Sequence, residues 1–399
     1  MDLRFVFFAT FMDYAEASLR MHREHRGKLQ MVSVVPIENR DDLSTVYTPG
    51  VAAPCQAIAR DPSQVYDLTI KGRTIAVITD GSAVLGLGNI GPEAALPVME
   101  GKAILFKRFA GLDAFPICLA TQDPDEIVET VQRIAPVFGG INLEDIAAPL
   151  CFEVEERIVN ALDIPVMHDD QHGTAVVILA GLLNALKVVG KRLEDISIVL
   201  SGAGAAGLAS ARLLLDAGVQ RMTIIDSRGM IAPGRNGMNA YKEAVAEQIN
   251  PTGRTGTLAE ALQGADLFLG VSKPGLVTAE MVRSMASDPI LFAMANPVSE
   301  IMPEEAKEAG AAIVATGRSD FPNQANNVLA FPGIFLGALE SGTKRFTKET
   351  WFAAARAIAG LVPHPQPDRI LPSVFETGVA RTVADAVKKV AETASAGKM

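Results

Sequence analysis

Four carboxylates stand in two adjacent pairs, Glu144-Asp145 and Asp169-Asp170. Acids with no cysteine among them select a hard divalent ion, Mg²⁺ or Mn²⁺, bound through oxygen with positions left for substrate oxygens. His168 and His172 flank the second pair and would suit zinc or iron, but they read more simply as polar residues bracketing a turn. Paired acids also serve as helix caps or solvated surface, so spacing alone leaves the metal open.

A second constellation is glycine-rich. Ser197-Ile198-Val199-Leu200-Ser201 reads as a buried strand running into Gly202-Ala203-Gly204-Ala205-Ala206-Gly207. In this G-x-G-x-x-G pattern Gly202 permits the tight turn, Gly204 lets the backbone approach a pyrophosphate, and Gly207 lets helix pack on strand. Ala205 and Ala206 begin the helix, whose free N–H groups face the phosphates. The next strand ends in Asp226, placed to accept hydrogen bonds from a ribose 2′-OH. That carboxylate would repel a 2′-phosphate and favours NAD; Arg228 and Arg235 follow closely and keep NADP open.

These residues need elements to hold them, and the pattern along the chain changes near residue 166. Before it, strand-like runs (Ile75–Thr79, Phe115–Leu119) mix with helix-like stretches (Pro124–Ile134, Glu153–Ala161), and residues 140–145 read as a strand with two acids at its carboxyl end. After it, strands at Ile196–Leu200, Met222–Ile225, Leu267–Val271 and Ile290–Met294 alternate with helices at Gly207–Ala217, from Thr257 and at Thr278–Met285. The expectation is an α/β chain: a mixed α/β catalytic domain over 1–166, then a Rossmann-type, doubly wound parallel sheet domain over 167–399. The helix Thr382–Ala394 is expected to pack back on the first domain.

Composition narrows the function classes. With 399 residues, 49% hydrophobic, 21% charged and a net charge of −10, the chain reads as a packed two-domain protein and not a general nucleic-acid binder. Cys55, Cys118 and Cys151 form no CxxC pair, which points to a reducing, cytoplasmic setting. Val176 to Leu186 is apolar, but Lys187 ends it short of a spanning helix. Phe5 to Phe11 resembles a short signal core, yet Asp2 and a single Arg4 favour a docked extension or an upstream start.

Taken in order, several segments resemble the malic enzyme family. They are Thr45 to Ala52 (TVYTPGVA), Thr79-Asp80-Gly81, Val84 to Gly91 (VLGLGNIG), Glu100-Gly101-Lys102-Ala103 and Asn142 to Ile146. His168 to Thr174 (HDDQHGT), Ala295-Asn296-Pro297 and Phe321 to Phe331 complete the series. The length resembles the short bacterial subfamily. The resemblance implies that Glu144, Asp145 and Asp170 bind the metal, Lys102 is the general base, and Tyr47 is the acid that protonates the enol. It implies that Asp169 stands near Lys102, that Asn296 and Asn327 contact substrate or nicotinamide, and that Asn326 is a lesser candidate. It also implies a homodimer. Longer eukaryotic-type members carry a carboxylate-binding arginine just before the LGLG segment; this chain has Ala83 there, as short members commonly do.

The implied chemistry is oxidative decarboxylation of (S)-malate to pyruvate and CO₂, and it demands these residue types. Losing hydride from C2 requires the hydroxyl proton to leave, and an exposed lysine is a poor base at neutral pH. Burial and a nearby cation would lower Lys102 into range. A tyrosine hydroxyl is a suitable donor to C3. Three other readings remain: a malolactic enzyme that retains its cofactor, a catalytically silent metabolite-binding paralogue, and a metal-free Rossmann dehydrogenase. The last leaves the acid cluster unexplained.

Overall fold

The computed structural model describes residues 13–396; the apolar segment 5–12 lies outside the described residues. Ten strands form two sheets. In the first, β1 (Thr74–Thr79), β2 (Asp113–Cys118), β3 (Gly140–Leu143) and β4 (Val166–His168) run parallel in the order β2-β1-β3-β4. In the second, β5 (Ser197–Ser201), β6 (Arg221–Asp226), β7 (Gly229–Met230), β8 (Leu267–Gly270), β9 (Ile290–Ala293) and β10 (Ile313–Thr316) take the order β10-β9-β8-β5-β6-β7. All pairs there are parallel except β7 on β6. Buried strands such as Ile290–Ala293 are apolar at every position, as expected where helices cover both faces. Pro116 lies in β2, an edge strand, where its missing N–H costs least.

The helices that matter for the site are α1 (Pro92–Ala110), α2 (Leu150–Ala161), α3 (Asp169–Val189), α4 (Ala205–Asp216), α5 (Phe331–Ser341), α6 (Lys348–Gly360) and α7 (Val379–Ala396). The segment around Val176 does not stop at Lys187. It belongs to the 21-residue α3, which Gly190 closes in the left-handed conformation at φ 68°. By length and apolarity α3 passes as a membrane span, but every residue from Ala175 to Leu182 is buried inside the protein. Each large apolar side chain so covered contributes ~1.5–3 kcal/mol. α3 packs on α4 and α6, and one apolar core runs from Ile75 and Ile141 of the first sheet to Ile198 and Leu267 of the second.

α7 lies against α5 and α6 and reaches α1. Its approach to α5 is close because Gly333 and Gly337 carry no side chain; a β-carbon there would meet the carbonyls of Ala380 and Ala384. The helix expected over Thr278–Met285 is shorter than the sequence suggested, while the one over Thr257–Leu262 keeps its bounds. The two span Ala279–Arg283 and Leu258–Leu262, with each preceding threonine serving as N-cap.

Candidate metal and dinucleotide site

β3 and β4 are parallel neighbours, so the residues just past their carboxyl ends are brought together. Glu144-Asp145 leave β3, and Asp169-Asp170 open α3 directly after β4. Asp145 takes φ 53°, a conformation that asparagine and aspartate tolerate better than most residues, and donates its N–H to Asp170 Oδ2 at 2.8 Å. Glu144, Asp145 and Asp170 each present a carboxylate oxygen within 4.8 Å of the others. α1 supplies Lys102, whose Nζ lies 2.6 Å from Asp169 Oδ2, 2.8 Å from Glu144 Oε1 and 4.3 Å from the Phe331 ring centre. Asn142 fixes the far oxygen of Glu144 through its side-chain amide, 2.8 Å away.

The cluster is buried and its charges do not balance. Burial raises Glu144 well above the usual carboxylate range, only partly offset by Lys102. Asp145 is pushed up to about 7 by burial and then by Asp170. Burial raises Asp169 as well, against the pull of Lys102. Buried oxygens of Asp80, Asp145 and Asp169 have no hydrogen-bond partner. An acid trio with Glu144 and Asp145 buried, Asp170 partly open to solvent and Asp145 Oδ2 unpartnered fits a hard divalent cation, which would neutralise its charge.

Two influences oppose each other at Lys102. Burial does work downward, but Asp169, Glu144 and Asp170 outweigh it and hold the ammonium above its ordinary value. The resemblance implied Asp169 near Lys102; the direct contact of Glu144 Oε1 with the same Nζ is added by the fold. A bound divalent charge acts in the opposite sense to those carboxylates.

Other sequence candidates are placed unevenly. Asn327 stands beside Asp169, since a β-carbon on the intervening Gly173 would meet both side chains. Asn326 spends its side-chain oxygen capping the Val328 N–H at 2.9 Å. Asn296 follows β9 and touches the loop after β1, where a side chain on Gly86 would strike its carbonyl. Leu85 of that loop gives its N–H to Asp145, so the loop links the acid trio to Asn296. Tyr47 closes the helix Arg40–Val46, is 67% exposed, and its hydroxyl makes no hydrogen bond among the described residues. His168 is buried with Nδ1 3.8 Å from Asp170, and His172 turns away toward Glu155.

At the second sheet the chain leaves β5, crosses by α4 to β6 on one side, then returns to β8 on the other. That reversal opens a crevice at the carboxyl ends of the strands. Gly202 sits there at φ 112° with its α-carbon against the Val271 carbonyl, and a side chain on Gly207 would collide with the Gly202 carbonyl. Gly204 faces open space before the first turn of α4, Ala205-Ala206-Gly207. Asp226 ends β6, gripped by Arg235 at 2.6 and 2.9 Å and by Lys242 at 2.8 Å. Burial opposes its ionisation, but Arg235 and Lys242 hold it well below the usual range.

Two residues escape notice in the sequence. Asp80 stands there only as part of a longer motif; its Oδ1 accepts from Ser82 and its Oδ2 is one of the orphaned oxygens. Glu300 is fully buried and ties the ends of β8 and β9, accepting the Ser272 N–H at 2.9 Å and the Ala295 N–H at 3.0 Å, next to Asn296. A lone glutamate at a loop gives no spacing signal that would expose such a bridge.

Two family models divide the chain between them. "Malic enzyme, N-terminal domain" matches residues 26–124 and 120–159, and "Malic enzyme, NAD binding domain" matches residues 171–392. The chain belongs to the malic enzyme family. It is 56% identical over 383 residues to the bifunctional malic/malolactic enzyme of Bacillus subtilis, covering 95% of this chain and 93% of that one. The NADP-dependent malic enzyme of Halomonas elongata is 49% identical over 348 residues, 86% of this chain and 82% of its own. The crystal structure of the NAD-dependent malic enzyme of Thermotoga maritima superposes with a TM-score of 0.90 at 49% identity, covering 93% and 98% of the two chains.

Proposed function

We propose that this malic enzyme oxidises (S)-malate and decarboxylates it to pyruvate and CO₂ with NAD(P) as hydride acceptor. The observation that carries the reading is the trio Glu144, Asp145 and Asp170, set beside the buried Lys102–Asp169 pair. The loop Leu85-Gly86 ties that trio to Asn296 after β9. The trio would hold Mg²⁺ or Mn²⁺, whose charge stabilises the oxygen anion that decarboxylation creates.

The chain's own groups do the rest. Once the trio's negative charge is offset, Lys102 releases its own proton to solvent and, as the neutral amine, takes the C2 hydroxyl proton, with Asp169 keeping its Nζ aimed at that position. Asn327 orients substrate beside Asp169, and Asn296 bridges substrate and nicotinamide. Tyr47 delivers a proton to C3 of the enol. Gly202, Gly204, Ala205, Ala206 and Gly207 admit the pyrophosphate.

NAD is the preferred carrier in this reading because Asp226 is ionised where a ribose 2′-OH would rest. Arg235 and Lys242 beside it also make room for a 2′-phosphate, so NADP is accepted less well. The test is a spectrophotometric assay with malate, Mn²⁺ and either dinucleotide, with pyruvate measured at the end. A kcat/KM at least tenfold higher with NADP overturns the preference. The name of the Bacillus relative supports a second reading, malolactic turnover. That would yield lactate with no net absorbance at 340 nm.

The remaining parts of the reading are organisational. The boundary near 166 separates a catalytic domain from a dinucleotide domain. The helices Tyr14–His25, Arg40–Val46 and Ala52–Arg60 bury none of their residues, and Met31, Val32 and Val34 are exposed. Such a face is costly in water, and two-fold self-association is the common way to cover it, which supports a homodimer. Light scattering giving a mass near 42 kDa would exclude that. Three free cysteines support a cytoplasmic setting.

A further inference from the structure

α3 begins with no side-chain cap: its N-cap residue is His168, and neither ring nitrogen of His168 has a hydrogen-bond partner. Serine, threonine, aspartate or asparagine normally fills this position and ties down the first turn. The tie comes instead from α2. Glu155, buried on that helix, accepts the His168 backbone N–H on Oε1 at 2.7 Å and the Gln171 side-chain amide on Oε2 at 2.8 Å. His172 Nε2 stands 3.1 Å from one carboxylate oxygen and 3.2 Å from the other. The His172 ring in turn lies flat on Trp351 of α6, with ring centres 4.6 Å apart and planes 9° from parallel.

All three partners of Glu155 come from the five residues that contain Asp169 and Asp170. Glu155 itself does not join the acid trio. We propose that Glu155 is a positioning residue: it sets where the first turn of α3 sits relative to β3, and so fixes the spacing of Asp170 from Glu144 and Asp145. Trp351 backs the arrangement by holding the His172 ring in plane. The inference rests on the reading that this trio binds a divalent ion. Groups that orient metal ligands from behind are typically worth 10–100-fold in metal affinity.

The geometry specifies a discriminating variant. Glu155→Gln keeps size and reach but puts an NH₂ group where Gln171 and His172 already donate. Mn²⁺ binding is measured by electron paramagnetic resonance on the full-length protein without substrate or cofactor. Tryptophan emission is recorded alongside, and Trp351 is the only tryptophan in the chain. NADH binding is followed by its own fluorescence. Glu155→Gln is expected to weaken Mn²⁺ binding about tenfold and to shift Trp351 emission, with NADH affinity unchanged. A folded Glu155→Gln protein with wild-type Mn²⁺ affinity overturns the positioning role. Equal losses of Mn²⁺ and NADH binding overturn it too, since they would mean general damage. Should that variant fail to fold, Gln171→Leu removes one tether only and is expected to cost roughly threefold in Mn²⁺ affinity; no change there overturns the proposal. If the wild-type protein binds no Mn²⁺, the metal reading itself falls, an outcome distinct from either of these.

Discussion

Lys102 Nζ and Asp169 Oδ2 meet at 2.6 Å with both side chains almost wholly excluded from water. A buried pair of this kind is expensive unless something else uses it, because removing two charges from water costs more than their mutual attraction returns on its own. Here the pair faces three further carboxylates, and the lysine's proton becomes a quantity that a bound cation can control.

Lys102→Ala is therefore expected to abolish malate oxidation, with kcat/KM falling on the order of 10²–10⁴-fold. Tyr47→Phe is expected to leave hydride transfer comparatively intact and to fail at enol protonation. The two are separated by assaying malate oxidation and pyruvate tautomerisation in parallel. Wild-type rates in both assays for Tyr47→Phe would place the acid elsewhere.

Asp170 both accepts the Asp145 N–H and belongs to the acid trio. Asp170→Ala is expected to remove divalent-ion dependence and activity together, while circular dichroism shows a folded chain. Mn²⁺ raises the melting temperature of the wild-type protein and should leave that of the variant unmoved. Full activity after EDTA treatment of Asp170→Ala would eliminate the metal site.

Protons compete with the ion. Asp145 is raised from 3.8 to about 7, so its stabilising contribution is fully present below the unfolded value and is lost as pH rises through 7. The ion-free fold is accordingly expected to lose stability across that window as buried negative charge builds up. Mn²⁺ neutralises the same charge, so the rise in melting temperature it produces should be larger at pH 8 than at pH 6. An equal rise at both values would show that Asp145 does not titrate in this range.

Lys242 shares Asp226 with Arg235. Lys242→Ala removes one cation from the place where a 2′-phosphate would lie. The kcat/KM with NADP is expected to fall about tenfold, a loss of roughly 1.4 kcal/mol of transition-state stabilisation, while the value with NAD changes little. Parallel losses with both cofactors would mean that Lys242 serves the fold and not the choice of cofactor.

How much the sequence discloses depends on range. The strand, turn and helix around Gly202 to Gly207 are local, and each glycine has a local reason to be there. The acid pairs are visible as pairs, yet only the parallel pairing of β3 and β4 brings them within a few ångströms of each other. The lowering of Lys102 by burial is legible in the sequence, but the opposing pull of Asp169, Glu144 and Asp170 takes its strength from distances that only the fold sets. Asp226 looks free for a ribose, but Lys242 reaches it from the helix Ala240–Ile249. Asn326 looks like a substrate contact, and its side chain caps a turn. The two-residue strand β7 leaves no periodic trace at all.

α3 starts among the acid residues, with its middle sealed by apolar side chains of the core that both sheets share. A molecule built on such a spine resists opening like a book, because parting its covers would wet the run from Ala175 to Leu182. The loop after β1 is open by contrast: Leu85, whose N–H reaches Asp145, and Leu87 both stand in solvent.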